Sequence, residues 1–478
     1  MTIASPSLSG RSPILVLGFA VTGTAVARHL LSSGESVVVV DDHPDDASRR
    51  LATKLGVDLV ERPRPDELKS LVDEVGLVVV SPGVPSNHPI FGCEAEVVSE
   101  LEFAGRLARQ RGIPLVAVTG TNGKTTVTTL VSAMLVRSGL VAPAAGNIGV
   151  PLLEVLNRPT DMVVVEASSF QLALTAEFRP WIGAWINLAE DHLDWHPSFA
   201  HYAASKARIW VNQGIGDIAV ANRDDPAVLA RAQDGPAGGL VTFGLRAGGI
   251  GDAQGGGCGY YEHEGWLRAP GGENIVAIAD LWGTHAHQRS NALAACAIAL
   301  AAGATIEACR AELVEFSGLA HRLELICEGD GVRWIDDSKA TTPSAALAAV
   351  SGFESVVLIA GGRNKGLDLS LLAQAARRIR AVVVIGEASG EIAAALSGTS
   401  RPVVRADSMA SAVGWARSLA LPGDVVLLSP GCSSFDWYNS YAERGSDFAN
   451  LVRAGCVDPR AVDPKARHGL PEAKAGRS

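Results

Sequence analysis

Short aliphatic runs, each followed by a turn and then a helical stretch, recur along most of this chain and limit it to open α/β architectures. In the first hundred residues, Ile14–Leu17, Ser36–Val40 and Leu77–Val80 read as buried strands. A turn at Gly18–Gly23 and a helix over Thr24–Leu31 separate the first two. A helix over roughly Glu94–Gln110 leads into a second series. Its strands are Pro114–Val118, Met162–Val165 and Ile182–Asn187, and its helices run from Val127 to about Arg137, over Phe199–Trp210 and over Asn291–Ala302. From Gly331 the pattern restarts with strands Val332–Ile335, Val356–Ala360, Ala381–Ile385 and Asp424–Ser429. Strands that alternate with helices are joined by crossovers, which makes them parallel and buries both of their faces. Boundaries are expected near 102 and 318, giving domains 1–102, 103–318 and 319–478. A chain of 478 residues exceeds what one core can organise. The Gly-rich stretch from about Gly235 to Gly272 suggests a small antiparallel excursion or loops, and the tail from about residue 457 is expected to be disordered.

A formal net charge of −10 argues against nucleic acid or an anionic membrane as the main partner. It does not exclude a polyanionic small molecule, because a local glycine-rich loop can hold phosphate inside an acidic protein. The seven cysteines are scattered with no C-x-x-C pair, so neither structural zinc nor a disulfide framework is expected. That and the lack of a signal-like opening suit a cytoplasmic protein. The longest small-apolar stretch, Ala292–Ile306, is too short to span a bilayer. No oligomer is implied.

The strongest local signal is Gly120-Thr121-Asn122-Gly123-Lys124-Thr125-Thr126, directly after a strand and before a helix. Backbone N–H groups in such a turn, with a helix N-terminus, cradle anions. Lys124 adds a mobile cation, and a threonine hydroxyl can ligate magnesium. Only two residues separate the glycines if Gly120 is the first, fewer than in the usual phosphate loop; an ordinary strand-turn-helix connection is the plain alternative.

Glu166 ends the strand Met162–Val165, where a sheet exposes side chains to a ligand crevice; a solvated loop carboxylate is the alternative. Asp191, His192, Asp194 and His196 crowd another strand end and suit a hard-metal and phosphate site, though a polar surface loop fits the spacing equally well. Lys206 reads by itself as a surface lysine.

Two further turns attract attention. Gly18–Gly23 has Ala20 where a dinucleotide fingerprint needs glycine, so it keeps only the capacity to hold some diphosphate or nucleotide, with Asp41-Asp42 at the next strand end. Gly361–Gly366 is anion-friendly, but Asn364–Asp368 has one residue too many for guanine recognition.

In sequence order, G-T-N-G-K-T-T, G-N-I-G at Gly146–Gly149, E-x-S-S-F-Q-L at Glu166–Leu172, E-D-H-L-D at Glu190–Asp194, His321-Arg322 and Asp336–Thr341 resemble the Mur ligase family over nearly the whole chain. The S-S-F-Q-L run and Ser429–Asp436 resemble its D-glutamate-adding branch more than the others. A sibling that adds another amino acid, or glutamates a folate, is the alternative, and a nucleotide-binding regulator without ligase chemistry is a more distant one.

The resemblance implies an α/β protein of three domains, with Rossmann-like parallel sheets at both ends flanking a central phosphate-loop ATPase. It also implies an ATP-dependent ligase that joins UDP-N-acetylmuramoyl-L-alanine to D-glutamate through an acyl phosphate. Gly120, Thr121, Asn122, Gly123, Lys124, Thr125, Thr126, Asn291, Arg322, Asp337 and Lys339 are implied in ATP binding. Thr125, Glu166, His192 and Lys206 are implied at two magnesium sites, with Asp191 beside His192 and Lys206 carbamylated by CO₂. The UDP-substrate set is Thr22, Asp41, Gly83, Asn147, Ser168 and Gln171, and the D-glutamate set is Thr341, Lys365, Ser434 and Tyr441. Gln288 replaces the asparagine of the family's H-N-x-x-N, Asp42 adds an anion after Asp41, and Phe435 and Tyr441 make the amino-acid pocket bulkier or more polar than the family's.

Overall fold

The computed structural model describes residues 13–234, 238–246 and 259–455. It contains three sheets and divides into two compact units, Met1–Ser317 and Gly318–Ser478.

The first sheet comprises β1 (Ile14–Leu17), β2 (Val37–Asp41), β3 (Asp58–Glu61), β4 (Leu77–Val80) and β5 (Glu96–Ser99) in the order β3-β2-β1-β4-β5. Every pairing is parallel, with Ile14 opposite both Val37 and Leu77. The chain order reverses between β1 and β4, so the turns that leave these two strands part and leave a crevice at their carboxyl ends.

The second sheet holds β6 (Leu115–Thr119), β7 (Ala144–Gly146), β8 (Val163–Glu166), β9 (Ile182–Trp185), β10 (Ile218–Asn222), β11 (Gly239–Gly244), β12 (Gly259–His263), β13 (Trp266–Arg268) and β14 (Asn274–Ala277). Its order is β14-β13-β12-β11-β10-β9-β6-β8-β7. Only the β12-β13-β14 end is antiparallel, as the Gly-rich stretch suggested; residues 235–237 and 247–258 of that stretch lie outside the described residues. β6 lies between β8 and β9, so three strand ends converge on the turn that follows β6.

The second unit carries β15 (Glu324–Gly329), β16 (Val332–Asp336), β17 (Val356–Gly361), β18 (Ile379–Ile385), β19 (Val403–Arg405) and β20 (Val425–Leu428), ordered β15-β16-β20-β17-β18-β19 and parallel except for β15.

Interior strands such as β1, β4, β17 and β20 are buried on both faces, which is why their sequences are nearly unbroken Val, Ile, Leu and Ala. Burying one such side chain contributes about 1.5–3 kcal/mol. The helix expected over Glu94–Gln110 is corrected: it begins at Glu100, because Glu96–Ser99 pairs with β4 and the Ser99 hydroxyl accepts the Glu102 N–H as helix cap. Among the described cysteines, Cys93, Cys296, Cys309 and Cys432 are free and Cys327 is disulfide-bonded. No helix among the described residues is long and apolar enough to cross a membrane. The expected tail lies outside the described residues.

Candidate active site

The turn after β6 is shaped from the neighbouring strand. Asn187, just past β9, accepts the N–H groups of Thr121 and Asn122 on its Oδ1 at 3.0 and 2.9 Å, and returns its amide N–H to the Asn122 carbonyl at 2.9 Å. The Thr121 hydroxyl bonds the Ala189 carbonyl and the Tyr202 hydroxyl, both at 3.0 Å. Gly123 has φ +80°, and a Cβ there would lie 2.4 Å from Oδ1 of Asn291. Glycine adopts this backbone without strain as the chain turns into the helix Lys124–Arg137, and Asn291 is brought against the turn. Lys124, Thr125 and Thr126 occupy that helix's first turn.

Lys206 is not on the surface. It lies on the helix Phe199–Val211 at 1% exposure, its Nζ donates to the Gly120 carbonyl at 2.8 Å, and it sits 4.6 Å from the centre of the Tyr202 ring. Lys124 donates to the Gly120 and Thr121 carbonyls, both at 2.9 Å. Burial, and then the charge of Lys124, hold the Lys206 amine well below the ordinary lysine range, against the pull of Asp191 and Glu166.

Glu166 is buried at the end of β8. Its Oε1 accepts the Asn147 side-chain amide at 2.8 Å, while its Oε2 is buried without a hydrogen-bond partner. A buried carboxyl oxygen left over beside a phosphate-type turn is what a hard cation takes. Glu166 therefore fits a magnesium ligand, whereas Lys206 fits one only after its ammonium charge is removed. His192 has φ +55°, stands 3.2 Å from Asp191, and packs edge-on against Phe170 at 4.6 Å. His196, expected on the same loop, is turned inward to the Ser169 hydroxyl and His201 at 3.0 and 2.9 Å. Burial, then His201 and Lys206, push it down to about 4, against the pull of Asp191.

Thr22, Asp41 and Gly83 line one cavity of about 300 Å³ in the crevice between β1 and β4. Asp41 accepts the Phe19 N–H at 2.6 Å and the His43 N–H at 2.8 Å, tying the first turn to the end of β2. Asp42 faces His88 at 3.2 Å. Asn147 is not among that cavity's lining residues; its side chain is at Glu166. Ser168 and Gln171 bond each other in a reciprocal cap of the helix Ser169–Ala173. Gln288 likewise caps its own helix, accepting the His285 N–H at 3.2 Å.

In the second unit, Asp337 accepts the Ser429 hydroxyl at 2.8 Å and the Leu323 N–H at 3.3 Å, and burial pushes its carboxyl up to about 7 against these bonds and the Arg322 charge. His321, next to Arg322, meets Asp336 at 2.6 Å, and its carbonyl accepts the Lys339 N–H at 3.1 Å. Lys339 lies 3.6 Å from the centre of the Tyr441 ring, so a residue expected at ATP and one expected at D-glutamate are neighbours. The Thr341 N–H bonds the Lys339 carbonyl at 2.9 Å, and Ser434 is buried in the turn after β20. Lys365 lies on the turn after β17. Phe435 is 63% exposed.

Arg444 carried no signal in the sequence, yet it organises this end of the sheet. At 1% exposure it donates to the Ser338 hydroxyl and carbonyl at 2.9 and 2.8 Å and to the Cys432 carbonyl at 3.2 Å, with a longer contact of 3.5 Å to Gly361. Burial pulls its guanidinium down to about 10.

Residues 118–299 match the model of the Mur ligase middle domain, and residues 321–432 that of the Mur ligase glutamate ligase domain. The chain belongs to the Mur ligase family. It is 42% identical over 458 residues to a UDP-N-acetylmuramoylalanine–D-glutamate ligase of Pelotomaculum thermopropionicum, covering 92% of this chain and 97% of the relative. It is 43% identical over 453 residues to the enzyme of that name from Frankia casuarinae, covering 92% and 94%. Among solved structures, the Mur ligase fold is shared with the UDP-N-acetylmuramate-alanine ligase MurC of Thermotoga maritima. There the TM-score is 0.59 at 20% identity, over 93% of this chain and 99% of the other.

Proposed function

We propose that this Mur ligase family member joins the L-alanyl carboxylate of UDP-N-acetylmuramoyl-L-alanine to the amine of D-glutamate, at the expense of ATP, in cytoplasmic synthesis of peptidoglycan precursors. The observation that carries the reading is the cluster at the turn after β6: two lysines on the Gly120 carbonyl, with the unpartnered Glu166 oxygen at the adjacent strand end. Two relatives named for this ligation, alike over nine-tenths of the chain, support the choice of substrates.

A carboxylate is a poor electrophile and an acyl phosphate a good one. The L-alanyl carboxylate takes the γ-phosphoryl group of ATP, the D-glutamate amine adds to the acyl carbon, and phosphate leaves as the amine gives up a proton. Transfer between two anions requires dispersal of charge. The backbone N–H groups of Gly120–Thr126 and the Lys124 ammonium do this at the phosphates. Thr125, Glu166, His192 and Lys206 would hold magnesium at two sites, which supplies charge neutralisation of phosphate oxygens. Lys206 joins that set when its neutral amine attacks CO₂, forming a carbamate and releasing a proton. Asn291, Arg322, Asp337 and Lys339 take further nucleotide contacts, and Thr341, Lys365, Ser434 and Tyr441 take D-glutamate. The UDP moiety lies in the cavity lined by Thr22, Asp41 and Gly83, with Asn147, Ser168 and Gln171 completing the substrate set.

The test is phosphate release from ATP with UDP-N-acetylmuramoyl-L-alanine across a panel of D- and L-amino acids. Release with D-glutamate alone is expected. Release with a different amino acid would assign the chain to a sibling activity, and release with none would remove the ligase reading.

A further inference from the structure

The rim of the nucleotide-sized cavity in the first sheet is a short strap, Ser81–His88, that leaves β4. It is held at three points. The Ser81 hydroxyl donates to the Gly18 carbonyl at 3.0 Å. At the far end, His88 accepts the Ile90 N–H on Nδ1 at 3.1 Å, which leaves Nε2 to meet Asp42 at 3.2 Å. Between them, the Val84 carbonyl receives the indole N–H of Trp195 at 3.0 Å.

Trp195 belongs to a different sheet of the same compact unit. It lies three residues after His192, on the loop that follows β9. Its ring stands 5.2 Å from Phe170 and 4.7 Å from His196, and Phe170 in turn stands 4.6 Å from His192. On the other side, the same ring reaches Phe91, just beyond the strap, at 6.4 Å. An indole has one polar atom, a donor, on a broad apolar body. One side chain can therefore fix the strap by a directional bond while its faces and edges fix the His192 loop by packing.

We propose that Trp195 is a positioning residue that holds the rim of the UDP-substrate cavity in register with the His192 loop, so that occupancy of the cavity favours the loop geometry that accepts nucleotide. The inference rests on the reading of cavity and loop as parts of one ligase site. Trp195 touches no reacting atom; it acts through Val84 and through Phe170. By reciprocity, the effect of one ligand on the affinity for the other measures the link.

The experiment is calorimetric titration of the full chain with ADP and magnesium, with and without saturating UDP-N-acetylmuramoyl-L-alanine. Wild type should bind ADP about fivefold or more tightly when the UDP substrate is present. Trp195→Phe keeps an aromatic ring and removes the donor, and should bring that ratio close to one while each ligand still binds alone. An unchanged ratio in Trp195→Phe, or no coupling in wild type, overturns the proposal. If the variant does not fold, amide hydrogen exchange of wild type decides instead: UDP substrate alone should slow exchange across residues 190–196, and unchanged exchange there overturns the link. A wild type that releases substrate-dependent phosphate but fails these measurements loses only this inference. One that releases none loses the ligase reading itself.

Discussion

Lys124 and Lys206, eighty-two positions apart, donate to the same carbonyl oxygen, that of Gly120, at 2.9 and 2.8 Å. Two ammonium groups on one acceptor repel each other, and only one of them is wholly enclosed. The strain falls on Lys206, whose burial and proximity to Lys124 both favour the neutral amine. A neutral amine is the form that captures CO₂, so the arrangement prepares Lys206 for the role proposed for it.

Lys206→Ala should abolish most turnover, and added short-chain carboxylates should restore part of it by standing in for the carbamate oxygens. Steady-state phosphate release with and without acetate or formate checks this. Normal turnover in the variant would remove Lys206 from the site, and a dead variant that no carboxylate rescues would leave an ammonium or folding role. Lys124→Ala should cost on the order of 10²-fold or more in turnover with the fold intact, since it removes one charge-stabilising donor.

Gly123→Ala should damage nucleotide binding without unfolding the protein. The residue would be held at φ +80°, costing about 1–2 kcal/mol, and its methyl group would press on Asn291. A rise of about tenfold or more in the apparent KM for ATP is expected, with little change in the KM for the UDP substrate. Equal effects on both would show that the turn does not discriminate between them.

Most strands that were legible in the sequence are apolar runs buried on both faces, as in β1, β4, β17 and β20. Several strands that escaped reading lack that signature, although β10, Ile-Ala-Val-Ala-Asn, carries it. β3 is Asp-Leu-Val-Glu, charged at both ends; β7 has three small residues; β5 runs straight into a helix and borrows its pattern. In the site, the phosphate-type turn and Glu166 declared themselves because they sit at strand ends. Lys206 did not, since burial of a lysine is a property of the tertiary fold. Ser168 and Gln171 carried a readable signal that was passed over: Ser-x-x-Gln at a helix start is a capping pattern. Asn187 stood in full view at the head of the Asp-His loop, but nothing local says that its amide serves the turn after β6. Arg444 sits in Tyr-Ala-Glu-Arg-Gly-Ser-Asp, which reads as a solvated helix face.

Glu100 gives a pH prediction away from the site. It is fully buried, accepts the Leu153 N–H at 2.9 Å, and burial pushes its carboxyl up to about 7 from an ordinary 4.5. Between those values the folded chain keeps a proton that the unfolded chain has lost. Stability therefore falls as pH rises through that window and levels off above about 7, by on the order of 3 kcal/mol at most. Glu100→Gln should remove this slope. Urea unfolding of the two proteins should show Glu100→Gln more stable at pH 8 and the difference gone below about pH 4.5.

Arg444→Met would strip the donor from the Ser338 and Cys432 carbonyls and should cost on the order of 3 kcal/mol. Arg444→Lys, which keeps a charge but not the fork, should recover only part of it. Differential scanning calorimetry checks both, and a loss below about 0.5 kcal/mol in Arg444→Met would mean that the bonds contribute nothing.

One guanidinium that grips turns leaving β16 and β20, and reaches toward that of β17, also sets how this end of the second unit moves. A turn anchored by its own bonds can fray alone. Turns that share an anchor surrender it together, so the amide hydrogens of Asp337–Lys339 and Ser429–Ser433 should exchange with solvent in a single correlated event, with Gly361 and Gly362 following it. The floor of the proposed amino-acid pocket then behaves as one hinged plate, in which a ligand seated against any of the turns steadies the others.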